Sequence, residues 1–167
     1  FNKILDVQFS TNLSIFIQIV TGLISVQGIF IPLSDKHAVV KDILILETFV
    51  QIVELLFYFF FLRSMAANSL GQMAATRYFD WIITTPTMLL TTIIYFKYQE
   101  HLEDSSKDKK LTFWNFIKDN KKNIILIFVS NFLMLAFGYL GEIKAINMIT
   151  SLVFGFIFFA YTFYIIY

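Results

Sequence analysis

Five stretches of the chain run almost without charge: Phe9 to Ile31, Ile43 to Leu62, Tyr78 to Phe96, Asn123 to Leu140 and Ala145 to Tyr167. Each is close to the ~20 residues that a helix needs to cross a bilayer. In lipid the backbone must satisfy its own hydrogen bonds, so these stretches predict transmembrane helices. The expectation is an all-α, multi-pass integral membrane protein with one transmembrane domain over residues 1–167 and the bilayer as its first partner.

Within the spans the polar positions keep to stripes. On the second, Glu47, Gln51, Glu54 and Tyr58 recur at i, i+4, i+7 and i+11, which places them on one face at 100° per residue. On the first, Thr11, Ser14, Gln18, Thr21 and Ser25 repeat the device. A carboxylate at the bilayer centre costs roughly 2.5 to 3.5 kcal/mol on the insertion scale. Glu47, Glu54 and Asp80 must therefore face inward. Two facing stripes predict a seam between the first two helices. Ser, Thr and Gln alone would serve there as interhelical hydrogen bonds. Two glutamates a heptad apart point instead to a hydrated path for protons or monovalent cations, lined by Ser14, Gln18, Glu47, Gln51, Glu54 and Tyr58.

Composition narrows the function classes. With 57% hydrophobic residues, 15% charged and a net charge of +1, neither a soluble enzyme core nor a basic nucleic-acid face can be assembled. There is no cysteine. His37 and His101 are expected in loops, and no Gly-rich phosphate loop occurs, so enzymatic and metal chemistry lack their parts. The first apolar run has no basic region before it and no small-residue cleavage site, which reads as a retained helix.

Charge also sets an expected orientation. Lys97, Lys107, Lys109, Lys110, Lys118, Lys121 and Lys122 lie between the third and fourth spans, whereas the opposite side holds Lys3, Arg63 and Lys144, with Arg77 at a helix mouth. Positive-inside logic puts the N-terminus outside. The loop with Lys36 and Lys41 is then cytoplasmic, and the loop from Arg63 to Thr76, with Gly71 as a turn signal, is external. Phe113, Trp114, Phe116 and Ile117 are expected as an aromatic anchor among headgroups. Pro32 closes the first helix, and Pro86 falls mid-span, where it frees a carbonyl beside Thr84, Thr85 and Thr87.

The third span reads Arg77-Tyr78-Phe79-Asp80-Trp81-Ile82-Ile83-Thr84-Thr85-Pro86-Thr87-Met88. This R-Y-x-D-W-x-x-T-T-P pattern resembles the third helix of microbial (type I) rhodopsins. The resemblance implies a seven-helix bundle, five of whose helices lie in this chain, and all-trans retinal held by a lysine Schiff base. Every lysine here falls in a loop or at a helix end, so the attachment lysine is expected outside these residues. By the same resemblance Asp80, with Arg77, is counterion and proton acceptor, and Trp81, Thr84, Thr85 and Met88 line the chromophore. On the fourth helix Asn131 stands where the family pattern has an Asp, with Gly138 seven residues on. A Thr85–Asn131 hydrogen bond is expected, one that couples helices without titrating.

The glutamates of the second helix are similar to those lining the cation path of channelrhodopsins, and together with the first helix they resemble rhodopsins of large algal viruses. Eleven residues after Asp80, where proton-pumping relatives carry a carboxylate donor, this chain has Thr91. The resulting expectation is a light-gated cation channel. An outward proton pump, a photosensory rhodopsin and a non-photoactive membrane protein are the alternatives. A homo-oligomer is left open.

Overall fold

The computed structural model describes the backbone of residues 2–64, 70–103 and 112–167. Among the described residues the helices are α1 (Asn2–Ile29), α2 (Ala38–Ser64), α3 (Leu70–Glu103), α4 (Phe113–Asp119), α5 (Lys121–Glu142) and α6 (Met148–Ile166), with a 3-10 turn at Asp35–His37 before α2. Five contain segments long and apolar enough to cross a membrane: Gln8–Ile29, Ala38–Phe60, Ala74–Glu103, Lys121–Glu142 and Met148–Ile166. Helices α1, α2, α3, α5 and α6 pack in series, each on the next.

The third helix departs most from the hydropathy reading. It runs for 34 residues, so Gly71 lies inside a helix and not at a turn, and His101 is helical and not in a loop. Strong helix formers flanking the apolar core extend the helix into water, where hydropathy gives no signal. Lys107, Lys109 and Lys110 lie outside the described residues, as do the side chains of Lys3, Lys36 and Arg63.

Helix ends follow local chemistry. α1 stops at Ile29, three residues before Pro32. Between α5 and α6 the chain turns through Lys144 at φ 60°, and the Asn147 side chain accepts from Ile149 N at 2.9 Å to cap α6. Around Pro86 the hydroxyls of Thr84, Thr85 and Thr87 donate to the carbonyls of Asp80, Trp81 and Ile83, which flank the Ile82 carbonyl that proline leaves without its helical donor.

The apolar core lies toward the lysine-bearing end. Val39, Ile94, Tyr98, Phe116 and Ile124 are buried there, and Phe113 and Ile117 pack against them. This corrects the headgroup-anchor expectation. Phe116 is 2% exposed, and of the four residues only Trp114, at 71%, faces outward. An amphipathic turn finds a better partner in the gap between helix ends than in the interface. Lys41 lies in the first turn of α2 and not in a loop, and the same core joins the 3-10 turn to the far end of α3, so the start of α2 and the end bearing Lys97 share one side of the bundle.

Packing between α5 and α6 uses small residues and hydroxyls, as helix pairs in lipid do. Ser151 Oγ donates to the Phe137 carbonyl at 2.8 Å, and Ser130 Oγ to the Phe158 carbonyl at 2.9 Å. Gly141 lies so close to Ser151 that no Cβ could be added without displacing it. Phe137 stacks on Phe154 and Phe158 with ring centroids 5.0 and 5.8 Å away.

Candidate functional site

α3 presents two faces. Asp80, Thr84, Thr91, Ile94 and Tyr98 follow heptad-like spacing and are all buried, the face that meets α2. Trp81, Thr85 and Met88, at i, i+4 and i+7, lie about 100° round the helix from them and turn toward α5 and α6.

On the first face Asp80 is 5% exposed, and its Oδ1 has no hydrogen-bond partner. A buried carboxylate oxygen is costly unless a donor or cation meets it. Glu54 of α2 lies within electrostatic reach of Asp80 and of Glu47. Arg77, one turn before Asp80, is exposed.

The seam between α1 and α2 is partly as expected. Gln18 Nε2 donates to Glu54 Oε2 at 3.4 Å across the two helices. Gln18 and Gln51 line a cavity of about 200 Å³ with Gly22 and Thr48, and the side-chain oxygens of both glutamines are buried without a partner. Ser14 is half-buried and donates to the Ser10 carbonyl of its own helix, and Tyr58 is half-buried near the end of the stripe.

Two members leave the seam. Thr21 is exposed and donates to the carbonyls of Ile17 and Gln18. Gly22 takes its place, where a Cβ would sit 3.7 Å from Gln51 Oε1. A threonine can satisfy itself on its own backbone, so its polarity does not oblige it to face a neighbour. Glu47 turns to α3, where its Oε1 is hydrogen-bonded to Thr91 Oγ1. Thr91 is 3% exposed and also donates to the Met88 carbonyl at 2.9 Å. The eleventh position after Asp80 carries no carboxylate in sequence, but it has one in space.

The second face borders a large apolar groove. A cavity of about 690 Å³ between α3, α5 and α6 is walled by Trp81, Met134, Gly138, Gly155 and Phe159 among others. A second, of about 290 Å³, is walled by Thr85, Met88, Asn131 and Thr162 and shares Met134 and Phe159 with the first, so the two adjoin. Gly138 is required by its neighbour, since a Cβ there would lie 2.9 Å from Tyr78 Oη. Thr84, 1% exposed, lines neither cavity. Asn131 Nδ2 donates to Thr85 Oγ1 at 2.8 Å, and Thr85 in turn donates to the Trp81 carbonyl at 2.7 Å. The coupling of α3 to α5 expected from sequence is present.

The His37–Tyr98 pair had no signal beyond residue type. His37 Nδ1 and Tyr98 Oη are hydrogen-bonded across 61 positions of sequence.

Comparison with curated proteins finds no match. Among solved structures, viral rhodopsin OLPVRII is similar, with a TM-score of 0.79 and 28% identity over 95% of this chain and 68% of that one. The sequence profile of bacteriorhodopsin-like proteins matches residues 9–167. That match takes in the third-helix motif, the Thr85–Asn131 contact and all five spans, and so the chain belongs to the bacteriorhodopsin-like family, the microbial rhodopsins that bind retinal through a lysine Schiff base.

Proposed function

We propose that these helices form the proton-moving part of a light-driven outward proton pump. The residues present fit retinal. Asp80 turns a buried, unpartnered carboxylate oxygen to any cation placed beside it, and the adjoining cavities have the apolar and aromatic walls that suit a polyene, with Trp81, Met88, Met134 and Phe159 among them. Bound retinal supplies a light-driven change of shape and a proton-bearing nitrogen.

The protein's own groups do the rest. Asp80 Oδ1 accepts a proton, and Glu54, within electrostatic reach, favours that uptake, because two neighbouring carboxylates resist carrying charge together. Asn131 and Thr85 hold α5 against α3 and keep the groove wall in place.

The observation that carries the reading is Glu47. Thr91 stands eleven residues past Asp80, about 16 Å along the helix axis, and Glu47 from α2 bonds it there. The Thr91 hydroxyl, shared between Glu47 Oε1 and the Met88 carbonyl at 2.9 Å, fixes a carboxyl group at the level where α3 has none of its own. Glu47 thus supplies the inner-side proton that Thr91 cannot. The lysine distribution makes that side cytoplasmic and the N-terminus external, which gives the outward direction.

Glu47→Gln in the retinal-bound protein tests this. The return phase of the photocycle, read by visible absorbance, is expected to slow about 10²-fold, the loss typical of a positioned general acid. A return phase at the unmodified rate would remove Glu47 from the path.

A light-gated cation channel is the second reading. The Gln18–Glu54 bond and the cavity bordered by two unpartnered amide oxygens favour it, as such acceptors suit water or an ion between α1 and α2.

A further inference from the structure

A third polar station lies beyond Glu47, at the lysine-bearing end of the bundle. His37, half-buried in the 3-10 turn between α1 and α2, is hydrogen-bonded through Nδ1 to Tyr98 Oη, and its ring meets Tyr98 edge-on with centroids 6.1 Å apart. Tyr98 is 7% exposed and packed among Val39, Ile94, Phe116 and Ile124. It follows Thr91 by seven residues on the same buried face of α3, which is about 10 Å along the axis, with the fully buried Ile94 between them. The inner half of the bundle is therefore layered. Glu47 and Thr91 form one polar level, His37 and Tyr98 the next, and one aliphatic layer separates them.

We infer that His37 is the proton-entry residue of the inner side, taking protons from water and passing them through Tyr98 toward Glu47. This rests on the pump reading above. The chemistry needs a group that binds and releases a proton near neutral pH, placed at the boundary between water and core, and imidazole is the side chain suited to that. A proton added to the ring lets Nδ1–H donate to Tyr98 Oη, and the proton that Tyr98 gives up is carried by water entering past Ile94 during the cycle to the carboxylate that Glu47 becomes once it has given its own. One proton enters and one leaves, so neither residue changes its net charge over the cycle. Before illumination Ile94 keeps the two levels apart, as a pump requires of the half that must not leak.

The charged and titratable groups on the elements packed at this corner are Asp35 and Lys36 in the same turn, Lys41 and Asp42 on α2, Tyr95, Lys97, Glu100, His101 and Glu103 on α3, Lys118 and Asp119 on α4, and Lys121 and Lys122 on α5. Lys97 and Glu100 are paired with each other at 2.7 Å. The link to Tyr98 distinguishes His37 from the other surface acids and bases, because it leads from solvent into the buried face that ends at Glu47 and Asp80.

The test compares His37→Gln, Tyr98→Phe and Glu47→Gln in the retinal-bound protein. With His37→Gln the return phase should slow roughly tenfold, less than the ~10²-fold cost of removing a positioned acid, because bulk protons still reach Tyr98 slowly. Its rate should then rise in proportion to bulk proton concentration, and added imidazole should restore it. Without illumination, 15N NMR should show the His37 Nδ1 hydrogen bond lost in Tyr98→Phe. If Glu47→Gln slows the return phase while His37→Gln leaves its rate and pH dependence unchanged, the inference falls and the pump stands. Slowing without pH dependence or imidazole rescue would make His37 a structural clasp only. A Glu47→Gln protein that returns at the unmodified rate would bring down the pump reading and this inference with it.

Discussion

The two sides of α3 are built on opposite rules. Toward α5 and α6 polar groups are tied off: Ser130 and Ser151 donate to carbonyls, Asn131 to Thr85, and stacked phenylalanines fill the space around them. Toward α2 and α1, acceptors are left over: Asp80 Oδ1, Gln18 Oε1 and Gln51 Oε1 are buried with no partner, and Glu54 lies within electrostatic reach of both Asp80 and Glu47. A satisfied polar network holds one geometry, whereas an unsatisfied one gains from whatever proton, ion or water can reach it. In the function proposed here, one helix thus separates a wall for the chromophore from a path for charge.

The largest effect is expected from Asp80, the buried carboxylate on the α2 side, next in sequence to Trp81 on the other. Asp80→Asn removes the buried anion, so the absorption maximum of the retinal-bound protein should move to the red and proton transfer should fall by about 10²-fold or more. Absorption and a pH titration of the spectrum read both. An unchanged spectrum would place the counterion elsewhere and dissolve the division between the faces.

Thr85→Ala probes the satisfied side and should do less. It leaves the Asn131 side chain, 3% exposed, without its α3 acceptor, a loss of about 1–3 kcal/mol for a buried group stripped of its partner. The expected outcome is a lower melting temperature and a changed photocycle duration, with the colour nearly in place. Thr85→Ser, which keeps the hydroxyl, should recover most of the stability. A large colour change in Thr85→Ala would mean that this side also carries charge.

Much of this division was legible in the chain. Charge-free runs located the spans because lipid leaves a backbone few choices, and the residues after Arg77 marked Asp80, Thr85 and the contact with Asn131. The pairing of Glu47 was not legible. Its spacing to Glu54 put both on one face of α2, but periodicity gives an angle on a helix and not the identity of the neighbour at that angle. α2 packs between α1 and α3, so two turns along the same stripe Glu54 meets Gln18 and Glu47 meets Thr91. Thr91 gave no sign of this contact either, since a sequence position does not reveal what a neighbouring helix brings to it. Thr21 misled because its hydroxyl bonds its own helix, and the close approach was made by Gly22, which a count of polar residues passes over.

Photocurrent measured against membrane voltage in the retinal-bound protein, with sodium, potassium and proton gradients varied in turn, tests proton pumping most directly. The expected result is a current that stays outward across the tested voltages and ignores sodium and potassium, falling sharply in Glu47→Gln. A current that reverses sign with voltage and follows a cation gradient, and whose selectivity changes in Glu54→Gln, would contradict it and make the seam between α1 and α2 the conducting path.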